Sequence, residues 1–126
     1  MKLLLDTNAM LWIAAGDPSV GDAVRAALDS ADQVLFSVAS LWEVAIKVSL
    51  QKLAPIPELA ETFQAQGATR LGIEDPHLEI LQTLPFLHRD PFDRLIIAQA
   101  KSENLTVVTA DRTFTRYGIP VLDVRD

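Results

Sequence analysis

Three short runs of mainly apolar residues set the strongest limit on how this chain can fold. They are LLL at 3–5, VLF at 34–36 and TVV at 106–108, and they lack the alternation with polar residues that a half-exposed strand shows. Strands with such continuous runs are buried on both faces, which is typical of parallel sheets covered by helices. The runs therefore predict an α/β chain.

Five strands and seven helices are predicted from these runs and from the apolar periodicity between them. The predicted strands are Lys2–Leu5, Gln33–Phe36, Thr69–Ile73, Thr106–Val108 and Val121–Val124. The predicted helices are Asn8–Ala14, Ser19–Ala31, Val38–Gln51, Glu58–Gln66, Pro76–Thr83, Pro91–Glu103 and Arg112–Arg116, with Ser19 as an N-cap and Asn104 following the sixth helix. Strands that alternate with helices in this way indicate a mostly parallel sheet covered on both faces.

The composition narrows the class of protein. The 126 residues predict one domain over residues 1–126, and 49% of them are apolar, which is enough for a substantial core. The absence of cysteine excludes disulfides and thiolate ligands and fits a cytoplasmic protein. No run of about 18 uncharged apolar residues occurs, so we expect no membrane span. The net charge of −6 argues against tight nonspecific binding to duplex nucleic acid.

Acidic residues recur where the predicted elements meet one edge of the sheet. Asp6 ends the first strand, Glu43 lies in the second turn of the helix after the second strand, and Asp111 follows the fourth strand. Asp90 and Asp93 begin the helix that leads into the fourth strand. Strand carboxyl ends and helix N-termini share one edge in such folds, so we expect these carboxylates to converge.

Converging carboxylates repel one another unless protons or cations compensate for their charge. An all-oxygen cluster suits Mg²⁺ or Mn²⁺. Such ions activate a water molecule and stabilise the leaving oxygen of a phosphodiester. The pattern therefore predicts metal-dependent hydrolysis of a phosphodiester.

Each acid also has a purely structural interpretation. Asp6 and Asp111 both precede predicted helices and could serve only as N-caps. Glu43 precedes Lys47 by four residues, the favourable order for a solvated ion pair on a helix, although its neighbours are apolar. The sequence alone leaves both interpretations open for these three residues.

The segment HRDPFDR at 88–94 combines a helix start with a candidate ligand. Proline favours the first helical position, so Asp90 is predicted as the N-cap and Asp93 as the third helical residue of an Asp-type capping box. The helix dipole would favour the ionised form of Asp93, which is the form that a metal needs. We therefore predict that Asp90 serves stability and that Asp93 serves the site.

Other polar and aromatic residues are predicted to have structural roles. His88 is expected to be a hydrogen-bonded loop histidine rather than a ligand, because it lacks a cluster of histidines around it. Trp12 and Trp42 lie in apolar helical stripes and are predicted to be in the core. Three arginines flank the acids and are left open as ion-pair partners or phosphate ligands: Arg89, Arg94 and Arg112.

Four stretches together resemble the PIN-domain family, and more narrowly its VapC-type toxin branch. They are DTNAMLW at 6–12, SVASLWEVAIK at 37–47, LPFLHRDPFDRLIIAQA at 84–100 and LTVVTADRTFTRYG at 105–118. The resemblance spans nearly the whole chain with its motifs in matched order. It implies a three-layer α/β/α sandwich around a central, mostly parallel sheet, and the activity of a metal-dependent endoribonuclease that uses Mg²⁺ or Mn²⁺.

The resemblance also implies residue roles and partners. By position, Asp6, Glu43, Asp93 and Asp111 match the catalytic acids, with Asp6, Asp93 and Asp111 as metal ligands. It implies an RNA substrate, a small antitoxin partner from a type II toxin–antitoxin pair, and a homodimer. The chain departs from close relatives at Asn8, where they often have histidine, and at QKL 51–53, where they often read GKL.

Two other functions compete with this interpretation. A PIN-like domain that binds RNA or a protein partner without catalysis would share the fold. A phosphoryl-accepting signalling domain would also have an acidic edge, but it needs a lysine after a late strand, and VLDVRD at 121–126 has none. Cleavage of RNA by the purified protein, lost with EDTA, would separate an enzyme from a binding domain.

Overall fold

The computed structural model describes all residues of the chain and contains five strands, six α-helices and one 3-10 helix. The strands are β1 (Lys2–Leu5), β2 (Gln33–Ser37), β3 (Thr69–Leu71), β4 (Thr106–Thr109) and β5 (Val121–Asp123). The helices are α1 (Thr7–Ala14), α2 (Asp22–Ser30), α3 (Val38–Ser49), α4 (Leu59–Ala65), α5 (Asp75–Thr83) and α6 (Pro91–Glu103), and the 3-10 helix is Arg112–Tyr117.

The strands form one sheet in the order β3-β2-β1-β4-β5, and every neighbouring pair is parallel. Helices cover both faces, which confirms the predicted three-layer α/β/α sandwich. The predicted sheet was mostly parallel, and the observed sheet is entirely so. Each crossover between parallel strands needs a helix, and the helical segments between the apolar runs supply one each time.

Alternating side chains of the central strands divide the core between the two faces. Leu3 and Leu5 of β1 pack with residues of α1, α2 and α4 on one face. Leu4 packs on the other face with residues of α6 and of the 3-10 helix. The leucines of β1 have no exposed surface, as expected for a strand with a continuous apolar run.

The strand order reverses beside β1, and this reversal fixes where a ligand can bind. The chain first builds β2 and β3 on one side of β1, and then crosses to build β4 and β5 on the other side. Crossovers that leave in opposite directions open a crevice at the carboxyl ends of the strands, where α/β proteins bind ligands. The carboxyl ends of β1 and β4 flank this crevice, since Leu5 pairs with Val108.

Some predicted boundaries are wrong, most clearly at α2. The helix begins at Asp22 with Gly21 as its N-cap, whereas Ser19 was the predicted cap. The backbone N–H of Ser19 instead donates to the carboxylate of Asp17 in a turn. Gly21 packs against the backbone of Asp126, where an added Cβ would lie 1.8 Å from the carbonyl oxygen. This contact between distant parts of the chain could not be read from local sequence.

Other helices and strands lie close to their predicted positions. The third helix ends at Ser49, two residues before the predicted end, and β3 is two residues shorter than predicted. Asn104 adopts the left-handed conformation predicted for the residue after α6. None of the helices combines the length and the apolar character that a membrane crossing requires.

Candidate active site

Asp6 and Asp111 follow adjacent strands at the point where the strand order reverses. Asp6 is buried, and its carboxylate accepts a hydrogen bond from the backbone N–H of Ala9 at 2.8 Å, so it caps α1 as its structural interpretation predicted. Asp111 likewise caps the 3-10 helix by accepting from the N–H of Thr113 at 2.9 Å. Each cap satisfies one backbone donor and leaves the carboxylate at the ligand-binding edge.

Thr109 joins these two acids. Its hydroxyl donates to Asp6 Oδ2, and its oxygen accepts from the backbone N–H of Asp111 at 2.9 Å. Thr109 has only 1% of its surface exposed, so this link lies beneath the site rather than within it. Sequence reasoning missed Thr109, although a threonine that ends a strand two residues before a candidate ligand is a usable signal.

Glu43 projects from α3 with its carboxylate buried. Its Oε2 lies 3.1 Å from Lys47 Nζ, so the predicted pair on the helix forms. The pair is not a solvated one on the Glu43 side, because the Glu43 side chain is 10% exposed. Glu43 Oε1 is buried without any hydrogen-bond partner, which is costly for a carboxylate oxygen.

The two aspartates of HRDPFDR have different roles in the first turn of α6. Asp90 Oδ1 accepts from the backbone N–H groups of Phe92 and Asp93 at 2.8 and 3.0 Å, which confirms Asp90 as the N-cap. The reciprocal half of the predicted capping box is absent, because the N–H of Asp90 donates to His88 Nδ1 at 3.1 Å. The carboxylate of Asp93 is therefore not used in capping.

His88 lies among the acids. It is hydrogen-bonded in the loop before α6, as predicted, but its contacts with two of the acids were not predicted. Its Nε2 is 2.7 Å from Asp111 Oδ2 and 3.1 Å from Asp93 Oδ2. Ligand atoms of these three residues lie within 4.8 Å of one another. The isolated position of His88 in the sequence gave no sign of this, because the contact to Asp111 spans 23 residues.

The pKa values show how strongly the carboxylates interact. Burial is the main reason that the pKa of Asp93 is raised to about 8. Four further carboxylates raise it as well: Asp90, Asp6, Glu43 and Asp111. The predicted effect of the helix dipole, which would favour the ionised form of Asp93, is therefore outweighed by burial and by like charges.

The other two aspartates respond to different surroundings. Burial raises the pKa of Asp6 to about 6, although hydrogen bonds from Thr109 and from the N–H of Ala9 lower it. Burial would also raise the pKa of Asp111, but hydrogen bonds from Thr113 and His88 outweigh it and hold that pKa below its usual value. All four predicted site acids thus lie near one another, and the pKa values of the three aspartates are shifted differently.

The flanking arginines and the tryptophans differ in their placement. Arg94 is buried and donates to the carbonyl oxygens of Pro85 and Leu84 at 2.8 and 3.1 Å, so it supports the loop before α6 rather than pairing with an acid. Arg89 and Arg112 are exposed. Trp42 is 55% exposed, so its predicted place in the core was wrong, and Trp12 is half-buried against the core.

A cavity of about 540 Å³ lies between α2, α4 and the start of β2. None of the four acids lines it. This cavity is therefore not part of the acidic site.

Comparison with known proteins identifies the family. The model of the PIN domain matches residues 3–120. The chain belongs to the PIN domain family. The match includes all four acids and the sheet except Lys2 of β1 and the whole of β5.

Proteins similar to this PIN domain come from several bacteria. It is 26% identical over 125 residues to ribonuclease VapC22 of Mycobacterium tuberculosis, covering 94% of this chain and 93% of the relative. A chain of VapBC2 from Rickettsia felis, bound to a promoter DNA fragment, superposes with a TM-score of 0.75 at 19% identity, covering 97% and 98% of the two chains. A chain of DNA-bound VapBC from Salmonella typhimurium gives a TM-score of 0.72 at 20% identity, covering 98% of each.

Proposed function

We propose that the chain is a metal-dependent endoribonuclease and the toxin of a toxin–antitoxin pair. The observation that carries the proposal is the group of four carboxylates at the reversal of strand order, where Asp6 and Glu43 are buried and where burial and like charge raise the pKa of Asp93 to about 8. The similarity to ribonuclease VapC22 supports the choice of RNA as substrate.

The residues present fit a hard divalent cation. The donors are carboxylate oxygens, which Mg²⁺ and Mn²⁺ prefer. Glu43 Oε1 is buried and unpartnered, and Asp93 is held among like charges, so a cation would relieve both unfavourable features. In this proposal Asp6, Asp93 and Asp111 hold the metal. When bound, Mg²⁺ or Mn²⁺ supplies Lewis acidity to the phosphodiester and makes a nearby water more acidic.

The protein's own groups have separate tasks in this site. Thr109 fixes the Asp6 carboxylate through its hydroxyl and fixes the backbone of Asp111, so the two acids keep one spacing. Glu43 has a free carboxylate oxygen, Oε1, that can accept a proton from an attacking water or orient that water. The cap from Asp90 holds the first turn of α6 and thereby the position of Asp93.

The proposed partners rest on similarity to known proteins and not on the acidic residues of the site. A toxin–antitoxin complex from Klebsiella pneumoniae is among the solved structures with this fold, and we propose that this chain also binds a small antitoxin and forms a homodimer. The net charge of −6 predicts that RNA contacts come from a local basic patch.

Cleavage of synthetic RNA by the purified protein tests the activity. We expect cleavage with Mg²⁺ or Mn²⁺, none with EDTA, and none from Asp6→Asn under either condition. Full activity of Asp6→Asn with Mg²⁺ present would refute the proposed site. Growth arrest on induction, relieved by co-expression of a small protein encoded beside it, tests the toxin role.

A further inference from the structure

His88 holds two of the site carboxylates with one nitrogen. Its Nε2 is hydrogen-bonded to Asp111 Oδ2 at 2.7 Å, and Asp93 Oδ2 lies 3.1 Å from the same nitrogen, at ion-pair distance. A histidine so close to two candidate metal ligands could be a third ligand or a hydrogen-bond donor to them. The two roles need opposite tautomers of the ring.

The other ring nitrogen decides between these roles. The backbone N–H of Asp90 donates to His88 Nδ1 at 3.1 Å, so Nδ1 must present its lone pair. A neutral imidazole with an accepting Nδ1 carries its proton on Nε2. An Nε2 that bears a proton donates to carboxylates and cannot bind a metal ion. The peptide N–H at the start of α6 thus sets His88 as a donor.

The surroundings keep the ring in this orientation. The Tyr117 hydroxyl accepts from the backbone N–H groups of Leu87 and His88 at 3.0 and 2.8 Å, and it donates to the carbonyl oxygen of Pro85 at 2.8 Å. The His88 and Phe114 rings pack in a T-shaped arrangement with 5.9 Å between centroids. A ring fixed at its backbone, at Nδ1 and on one face has little freedom to turn.

We propose that His88 is a positioning residue that holds Asp93 and Asp111 in their metal-binding arrangement and is not itself a metal ligand. Each carboxylate oxygen has two lone pairs, so accepting one hydrogen bond leaves capacity for a cation. Without the donor, two like charges would be free to rotate apart. Hydrogen bonds of this kind typically contribute about 10–100-fold to metal affinity. The inference rests on the metal site proposed above.

The tautomer can be read directly in the folded wild-type protein. Long-range ¹H–¹⁵N spectra distinguish imidazole tautomers, and the chain has only two histidines. His77 is an internal control, because its Nδ1 accepts from the N–H of Glu74 at 3.1 Å in the same way. We expect both rings as Nε2–H tautomers, without metal and with saturating Mg²⁺. A His88 that carries its proton on Nδ1, or loses the Nε2 proton when Mg²⁺ is added, would overturn the proposal.

Variants then separate positioning from ligation by a measurement other than cleavage. Mn²⁺ affinity is measured by calorimetry for the wild type, His88→Ala and His88→Gln, whose side-chain amide can still donate. We expect affinity to fall about 10–100-fold in His88→Ala and to be largely kept in His88→Gln. A metal-ligating histidine would instead give the same loss in both variants, because each lacks the ring nitrogen.

A matched control is available at His77. Its Nε2 lies 3.8 Å from Glu103 at the far end of α6, about 15 Å along the helix from Asp93. His77→Gln should leave Mn²⁺ affinity unchanged. The measurement also distinguishes failure of the metal site from failure of the His88 proposal. No Mn²⁺ binding by the wild type would overturn the metal site itself. Equal binding by the wild type and His88→Ala would overturn only the role of His88.

Discussion

Helices α5 and α6 begin in similar ways, yet only one beginning contributes acids to the site. Both have an acidic residue at the N-cap and a proline in the first turn, and in both a histidine Nδ1 accepts the N–H of the cap residue. In α5 that histidine is His77, which lies inside the first turn, so the cap residue and its hydrogen-bond partner belong to the same turn. In α6 it is His88, two residues before the cap, and the third helical position is occupied by Asp93.

This difference shows how a helix start can also supply a ligand. His88 lies outside the helix and accepts the hydrogen bond from the N–H of the cap residue. The carboxylate of Asp93 is therefore not needed for capping, and it faces the other acids. The same backbone group is satisfied in both helices, so neither has an unpaired donor at this position. At α6, Asp93 is available for the site because another residue, His88, accepts the N–H of the cap residue.

The largest expected effect is on cleavage by Asp93→Asn. Loss of a proposed metal ligand should reduce the rate by more than about 100-fold, because even residues that act through a ligand contribute about 10–100-fold. The equivalent change in α5, His77→Gln, should leave the rate unchanged. Rates are measured on one synthetic RNA with Mg²⁺. Equal losses of cleavage rate in the two variants would contradict the proposed difference between the starts of α5 and α6.

The stability of the metal-free protein should fall as the pH rises. Folded-state pKa values of about 8 for Asp93 and about 6 for Asp6 exceed the unfolded value of 3.8, so the folded state binds more protons between these limits. Their contribution is fully present below the unfolded pKa and is lost as the pH rises towards about 6 and then about 8. Asp111, whose pKa is lowered, acts in the opposite sense at acidic pH.

Asp93→Asn should therefore stabilise the metal-free protein by about 1–2 kcal/mol near neutral pH, after allowance for partial exposure of the carboxylate. Urea unfolding with EDTA, at pH values from about 5 to about 8, measures both the slope and its reduction in the variant. An unchanged slope would show that Asp93 ionises freely.

Asp90→Ala should lower the free energy of unfolding by about 0.5–2 kcal/mol, as the loss of an N-cap does. Two backbone N–H groups lose their acceptor in this variant. Cleavage should be retained better than in Asp93→Asn, since Asp90 acts on the position of the helix. If the two variants lose activity equally, Asp90 belongs with the metal ligands and the division between cap and ligand is wrong.

Trp42→Ala should have the smallest effect, about 0.5–1.5 kcal/mol on unfolding. Trp42 is 55% exposed and packs edge-on against Phe92 at 5.0 Å between centroids, which ties α3 to the first turn of α6. The first turn of α5 has no such aromatic pair. Thermal unfolding of the variant measures this contribution, and a loss typical of a buried tryptophan would contradict the observed exposure.

The sequence predicted the layers, the order of elements and the edge that carries the acids, because these depend on apolar runs and on the geometry of crossovers. It also predicted Asp90 as a cap, because proline fixes the helix start locally. It did not predict the contact of Thr109 with Asp6 or that of His88 with Asp111, because these contacts join residues 103 and 23 positions apart. Nor did it predict the exposure of Trp42, because an apolar stripe does not reveal which of its members meets the core.

The hydrogen bond from Thr109 to Asp6 has a consequence for the timing of activity. It joins residues 103 positions apart, and β1 pairs with β4 directly above it. A growing chain that has reached residue 105 contains Asp6, Glu43 and Asp93, but neither β4 nor the hydroxyl of Thr109 that holds Asp6 Oδ2. For a nuclease made on ribosomes, this order of assembly predicts no cutting before β4 and Thr109 have been synthesised.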